Sequence, residues 1–275
     1  MEFSHTWPLM KIKGQEVLTQ KQFSKNKDFY MSVINVENVS KSYRDQKALS
    51  DFSLTVEHGD VVALLGPNGA GKTTFVKCML NLISADSGNI SIYDIDSNDP
   101  MSRSRLVYLP EKFTFYSYFT VEETLKFFAE FHQVEKSLVK ERIQEALGKL
   151  SIGELGKKKL SELSKGQMQR VGLCIAIVAD KDLIILDEPF SGLDPIGIKD
   201  VKDICLELSS KGKTILINSH ILSEVEKFAK KVIILNHGQV KAQGPIDEVR
   251  GGMSLEDRFY TLIKGTKEES GEVHV

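Results

Sequence analysis

Cysteine is scarce in this chain, charge of one sign is not in excess, and no hydrophobic run is long. Three cysteines in 275 residues, Cys78, Cys174 and Cys205, are odd in number and far apart, which excludes a disulfide framework. Each lies among apolar neighbours, the setting of a buried packing residue in a reducing compartment. The six histidines show no metal-ligand spacing. No stretch of about 18 apolar residues occurs, so no segment reads as a membrane-spanning helix. The most apolar runs, Leu183 to Leu186 and Val232 to Leu235, have the length of buried strands. Lysine and arginine number 36 against 38 aspartates and glutamates, a net charge of −2 that removes any electrostatic case for nucleic-acid or anionic-membrane binding. Residues 1–30 are polar and lysine-rich but lack the apolar core of a secretory signal. They are expected to form a disordered extension or to reflect an upstream start.

What is present is a globular chain, 41% hydrophobic and 27% charged, long enough for one large domain or a core with an inserted subdomain. Met31 to Glu37 reads as a first strand, and β-branched runs to Val62, with turns at Arg44-Asp45 and His58-Gly59-Asp60, read as a meander. Val61 to Leu65 is a continuous apolar strand that ends in a glycine loop, with a helix expected over Thr73 to Ile83. A turn at Asp86-Ser87-Gly88 leads into a strand expected over Ile90 to Ile95. The stretch from about 111 to 175 is mostly helical, with a capping box at Thr120-Val121-Glu122-Glu123 and an amphipathic helix over Leu138 to Leu150. Beyond it, a strand at 183–187, a helix near 195–210, a strand at 214–218, a helix at 221–229 and a strand at 232–235 alternate, and a hairpin turns at Asn236-His237-Gly238. That alternation predicts an α/β fold with a parallel sheet covered on both faces and the helical stretch inserted into it. The fold is expected to occupy about 31–250, with a short, partly disordered segment over 251–275.

Two segments carry phosphate chemistry. Gly66-Pro67-Asn68-Gly69-Ala70-Gly71-Lys72-Thr73 satisfies G-x-x-x-x-G-K-[ST] between a strand and a helix, with Thr74 following. Its backbone N–H groups and the helix N-terminus would face phosphates. Lys72 would reach the β- and γ-phosphates, and the Thr73 hydroxyl would ligate Mg²⁺. Leu183-Ile184-Ile185-Leu186-Asp187-Glu188 is a buried strand ending in two carboxylates, an arrangement costly without a cation. Asp187 is placed to hold Mg²⁺ through water and Glu188 to orient or deprotonate an attacking water. The other reading of Glu188 is a solvated charge at a strand end.

Between these segments stands Leu163-Ser164-Lys165-Gly166-Gln167-Met168-Gln169-Arg170, and after them come Ser191-Gly192-Leu193-Asp194 and Asn218-Ser219-His220. Together with Tyr43 upstream of the phosphate loop, the set resembles the ATP-binding cassette (ABC) ATPases over about residues 33–250. The resemblance implies a P-loop NTPase core of the RecA-like kind, an antiparallel β subdomain and an inserted α-helical signature subdomain. It implies ATP and Mg²⁺ as cofactors, adenine stacking on Tyr43, and Ser164, Gly166 and Gln167 meeting the nucleotide of an opposite subunit. Asp194 would lie at the dimer interface, and His220 would hydrogen-bond the γ-phosphate and support Glu188. Ser164 to Gln167 also reads as a capping box opening a helix. With one set of motifs, a second copy or a homologous subunit is required. The implied protein is the ATPase subunit of a transporter, peripheral on the inner face of the cell membrane through a separate permease, with no nucleic-acid partner.

Two positions depart from the family. Glu111, in Leu109-Pro110-Glu111-Lys112, replaces the usual glutamine and adds negative charge near the phosphates. Lys165 stands where glycine is common, a variant that the resemblance links to exporter-type ATPases. Phe113-Thr114-Phe115-Tyr116-Ser117-Tyr118-Phe119 holds five aromatics and reads either as core or as part of a groove that docks a cytoplasmic helix of a membrane subunit. Lys157-Lys158-Lys159 reads as a solvated loop in preference to a lipid contact. Soluble assembly ATPases, such as those of iron–sulfur scaffolds, share the same core and remain the alternative. Chromosome-structure ATPases need long coiled coils that the 92 positions between Lys72 and Ser164 (164 − 72) do not hold.

Overall fold

The structure is a computed structural model that describes residues 32–268 except 45, 113 and 114. The extension expected over residues 1–30 lies outside the described residues.

The central sheet has six strands in the order β10-β9-β3-β8-β7-β6. Its five parallel members are β9 (Lys231–Asn236), β3 (Val61–Leu65), β8 (Thr214–Ser219), β7 (Leu183–Asp187) and β6 (Leu106–Leu109). Every residue of β3, β7 and β8 is buried, as continuous apolar strands must be when helices cover both faces. β3 lies between β8 and β9, so the loop leaving its carboxyl end opens at the middle of the sheet. β10 (Gln239–Pro245) returns antiparallel to β9 through His237 and Gly238, whose φ values of 46° and 75° suit a tight hairpin of the I′ kind. β6 was not anticipated; at four residues it is too short to show a period.

A second, antiparallel sheet runs β2-β1-β4-β5. β1 (Ser32–Tyr43) and β2 (Gln46–Glu57) form its long hairpin, which buries Val36, Val39, Phe52 and Leu54. The single strand expected over Ile90 to Ile95 is instead two. β4 (Ser87–Ile92) and β5 (Ile95–Asp96) meet at Tyr93 and Asp94, where φ values of 51° and 58° reverse the chain. The expected turn residues Ser87 and Gly88 are already part of β4.

After the phosphate loop, α1 (Lys72–Met79) is shorter than the helix expected to Ile83. Between β6 and β7 lies the helical insertion: α2 (Val121–Phe131), α3 (Lys136–Lys149) and α4 (Lys165–Ala179). Both expected capping boxes are formed. Thr120 N donates to Glu123 Oε2 at 2.8 Å, and Glu123 N donates to Thr120 Oγ1 at 3.2 Å. Ser164 N donates to Gln167 Oε1 at 3.0 Å, and Gln167 N donates to Ser164 Oγ at 3.2 Å. Leu125, Ala129, Ile143, Leu147 and Val171 share the core that joins these helices to the sheet. All three cysteines are buried, as expected, and Lys157 to Lys159 are exposed.

On the far side of β7, α5 (Pro195–Ser210) leads to β8. α6 (Leu222–Val225) is a single helical turn continued by turns, not the helix expected over 221–229. α7 (Ile246–Arg250) and α8 (Leu255–Glu268) follow β10. The fold thus continues past residue 250. Leu255 is fully buried, and Phe259, Leu262 and Ile263 recur at helical spacing against the core.

Candidate functional site

Local sequence fixes the phosphate loop. Gly71, at φ 110°, caps α1, and a Cβ there would lie 2.3 Å from Ala48 O, so only glycine fits. The β9–β10 turn braces the loop from below. Gly238 N donates to Ala70 O at 2.9 Å, and Ser50 N donates to Gly238 O at 2.9 Å. Lys72 folds back over the loop, its Nζ donating to Gly66 O at 2.6 Å and to Pro67 O at 3.2 Å. Burial lowers the Lys72 pKa, while the charges of Glu188 and Asp187 oppose that shift. A cation held by two carbonyls beside two carboxylates is ready for an anionic ligand.

The carboxyl end of β7 places the acids. Asp187 accepts from Asn218 Nδ2 at 3.1 Å and from Tyr108 Oη at 3.3 Å. Its pKa is raised, by burial first, with those two donors opposing. Glu188 follows at φ 49°, a left-handed conformation that is strained for a side chain of this kind, and its N donates to Asn218 O at 2.9 Å. Its carboxylate Oε2 lies 2.7 Å from His220 Nδ1. Burial also raises the Glu188 pKa, with His220 and then Lys72 opposing. Tyr108 and Asn218 were assigned no role from sequence. The one signal was an amide at the end of the buried strand Thr214–Ser219; for Tyr108 there was none.

One cleft of about 290 Å³ gathers Tyr43, Asn68, Gly69, Ala70, Gly71, Lys72, Thr73, Thr74, Glu111, Asp187 and Glu188. The sequence-selected residues that line it therefore converge, and Gly66 and Pro67 join them by holding Lys72. Tyr43 is 47% exposed at the rim, with Lys41 Nζ 5.9 Å from its ring centroid, and could stack on a planar ring. Ser164, Gly166, Gln167 and Asp194 are not among the residues lining that cleft. They line a second cleft, about 500 Å³, together with Lys165, Arg170 and Gly192. Gln167 spends its side-chain oxygen on the capping box, and Asp194 Oδ1 accepts from Gly197 N at 2.8 Å to cap α5. A larger cleft of about 550 Å³, lined by Asn35, Asn38, Ser53 and Lys231 among others, has no phosphate-binding loop.

The donor set suits a hard divalent cation. A threonine hydroxyl and carboxylates are oxygen ligands of the kind Mg²⁺ takes, the remaining positions being filled by water and phosphate. Among the described residues no three His, Cys, Asp or Glu side chains form a ready cage, which an ion shared with a phosphate does not need. Asn218 Oδ1, buried and without a hydrogen-bond partner among the described residues, supplies a further acceptor beside Asp187.

This fold and this loop define a P-loop nucleotide-binding protein, with a mixed α/β core, an antiparallel sheet and a helical insert. The family described as ABC transporter matches residues 49–191. The ABC transporter ATP-binding protein all4389 of Nostoc sp. is 40% identical over 232 residues, covering 81% of this chain and 69% of that protein. LptB of Haemophilus influenzae, the ATP-binding protein of a lipopolysaccharide export system, is 35% identical over 227 residues, with 80% and 93% covered. A solved ATP-binding subunit of an ABC transporter superposes with a TM-score of 0.80 at 32% identity, over 84% of this chain and 99% of that one. The chain belongs to the ABC transporter ATP-binding family and is an ATP-binding ATPase of that family.

Proposed function

We propose that the protein binds and hydrolyses Mg·ATP at the interface of a head-to-tail dimer and so drives a separate membrane subunit, in the direction of export. One observation carries the dimer: the signature residues Ser164 and Gly166 line a different cleft from the phosphate loop of their own chain. A γ-phosphate held by Lys72 would meet a signature only from a second subunit.

In such a dimer Tyr43 stacks on the adenine, and the loop Gly66 to Thr73, with Thr74, wraps the phosphates. Thr73 and Asp187 hold the magnesium ion, which when bound neutralises phosphate charge. Lys72 leaves the Gly66 and Pro67 carbonyls for the β- and γ-phosphates. Glu188, its pKa raised by burial, takes a proton from the attacking water, and His220 holds the Glu188 carboxylate and turns to the γ-phosphate. Glu111, exposed at the cleft's edge, accepts from water there and adds negative charge that Lys72 and the cation must offset. From the partner, Ser164 and Gly166 present a helix N-terminus to the γ-phosphate, with Gln167 fixing Ser164 and Asp194 bordering the interface.

The membrane partner is supported by an aromatic face. Phe115 and Phe119 are half-buried, but Tyr116 and Tyr118 are 61% and 63% exposed, and Phe127 and Phe131 on α2 add 45% and 68%. Exposure of this order fits a docking groove better than core. The similarity to LptB, named for an export system, supports export and a place at the inner face of the membrane through the permease.

Ser164→Arg tests the reading. Hydrolysis is expected to stop while ATP affinity of the monomer, measured by fluorescent-nucleotide titration, stays as in the wild type. Loss of binding with turnover per bound ATP retained refutes the shared site.

A further inference from the structure

Lys165 is the position where the signature departs from the family, and the proposed function gives it no task. It is also a cation in the first turn of a 15-residue helix, where the dipole favours anions, and that turn contains no acidic residue to offset it. Among the described residues its ammonium meets no carboxylate. Nζ donates to Ser191 Oγ at 3.0 Å, in the turn that follows Glu188. The stem lies against Gly192: a Cβ on that glycine, at φ 76°, would come 2.8 Å from Lys165 Cδ. The next signature residue approaches the same turn through its main chain, since a Cβ on Gly166 would lie 3.1 Å from Gly192 O.

The turn leads directly to the catalytic glutamate. Ser191 N donates to Glu188 O at 3.1 Å, and Leu193 N donates to Phe190 O at 3.2 Å. Its base is anchored to α4 by the buried Gln169, whose Nε2 donates to Pro189 O at 3.2 Å. The Gln169 tie is closed off from solvent, whereas Lys165 is exposed on the surface that a partner would cover. The first tie is shielded from water and the second lies where a partner would meet the signature. Glu188 itself sits in a strained backbone conformation, which a displacement of Ser191 would shift.

We propose that Lys165 is a positioning residue. It latches the signature loop to the Ser191–Asp194 turn of its own subunit, so that a signature engaged on the partner's nucleotide sets the geometry of Glu188 at the subunit's own nucleotide. The latch makes the two sites of a dimer interdependent. A glycine at position 165 has no side chain with which to make the tie. The inference rests on the shared-site reading above and adds a route of communication to it.

The test is a double-mutant cycle in the full chain with Lys165→Met, which keeps the stem and removes the charge, and Ser191→Ala. Steady-state ATPase is read as kcat and as the Hill coefficient of the Mg·ATP titration, with nucleotide binding to the monomer and thermal unfolding as controls. Each single variant is expected to lower kcat about five- to tenfold, the size of one solvent-exposed hydrogen bond, and to bring the Hill coefficient towards one. The double variant is expected to equal either single variant, and Lys165→Arg to recover most of the loss. Wild-type kcat and Hill coefficient in Lys165→Met, or single effects that multiply in the double variant, overturn the latch. Light scattering of Glu188→Gln with ATP separates the two ideas. If no dimer forms, the shared-site reading fails whatever the cycle shows; if the dimer forms and the effects multiply, only the latch fails.

Discussion

Glu188 is held under conflicting demands. Its carboxylate is partly removed from water, its backbone is in a left-handed conformation, and His220 Nδ1 and Lys72 offset only part of that burial. A carboxyl whose folded pKa is raised stabilises the fold through its protonated form, below the ordinary carboxylate range. That contribution is lost as pH rises through the raised value, so at neutral pH the ligand-free fold carries Glu188 at a cost. Glu188→Gln should therefore abolish turnover and raise the ligand-free Tm by about 3 °C, a gain of about 1 kcal/mol for a chain this size. Steady-state ATPase and calorimetry measure both, and an unchanged kcat removes Glu188 as the base. Asp187 depends on Asn218 Nδ2 and Tyr108 Oη for its orientation. Asn218→Ala is expected to raise the Mg²⁺ concentration needed for half-maximal ATPase about tenfold while ATP affinity in EDTA is unchanged. The phosphate loop and Asp187-Glu188 were legible in the sequence because their chemistry is written in consecutive residues. Tyr108 and Asn218 were not, because their role exists only once β6, β7 and β8 lie side by side.

Elements were legible where a local device defines them. Thr120 with Glu123 and Ser164 with Gln167 marked two helix starts to the residue, since a capping box satisfies backbone donors inside four positions. The hairpin at Tyr93-Asp94 was not seen, because two residues without glycine adopt left-handed φ there and apolar Ile92 and Ile95 flank them as a single strand would. α8 was missed as an element because the stretch looked like a tail, although Leu255, Phe259 and Leu262 repeat at helical spacing. One element carries a pH response. His132 caps the carboxyl end of α2, where the dipole favours a cation, yet burial, followed by the charge of Lys181, pushes its pKa down to about 4. Burial wins, so the neutral imidazole is the native form. The stability it contributes is present above pH 6.5 and is lost as pH falls towards 4, about 2 kcal/mol once solvent screening is allowed for. Chemical denaturation of His132→Gln across that window should show a shallower acid-side loss than the wild type; parallel curves would remove His132 as a source.

At the scale of the molecule, the sheet places both working edges. The carboxyl ends of β3, β7 and β8 converge on the nucleotide cleft, as open α/β sheets do, while the helical insertion carries the signature and the aromatic face away from it. The rings of that face touch their neighbours in two groups, one in the loop and one on α2. Tyr118 lies 4.9 Å from Phe119 and Tyr116 5.6 Å from Phe119, while on α2 Phe128 lies 5.4 Å from Phe127 and 6.4 Å from Phe131. Phe115 joins α2 to the loop through Phe128 at 5.6 Å. A surface held together by ring contacts is pre-shaped, so a partner helix would not have to order it before binding. Side chains this exposed contribute to the fold mainly through their ring contacts, about 0.5–1.5 kcal/mol for each pair. The double variant Tyr118→Asp, Phe131→Asp is therefore expected to stay folded, with a Tm lowered by only a few degrees, and to bind ATP normally. It should no longer retain its membrane protein in a detergent pull-down of the native complex. Retention at the wild-type level would move the docking site elsewhere, because two carboxylates buried in an apolar interface without partners cost more than such an interface can absorb.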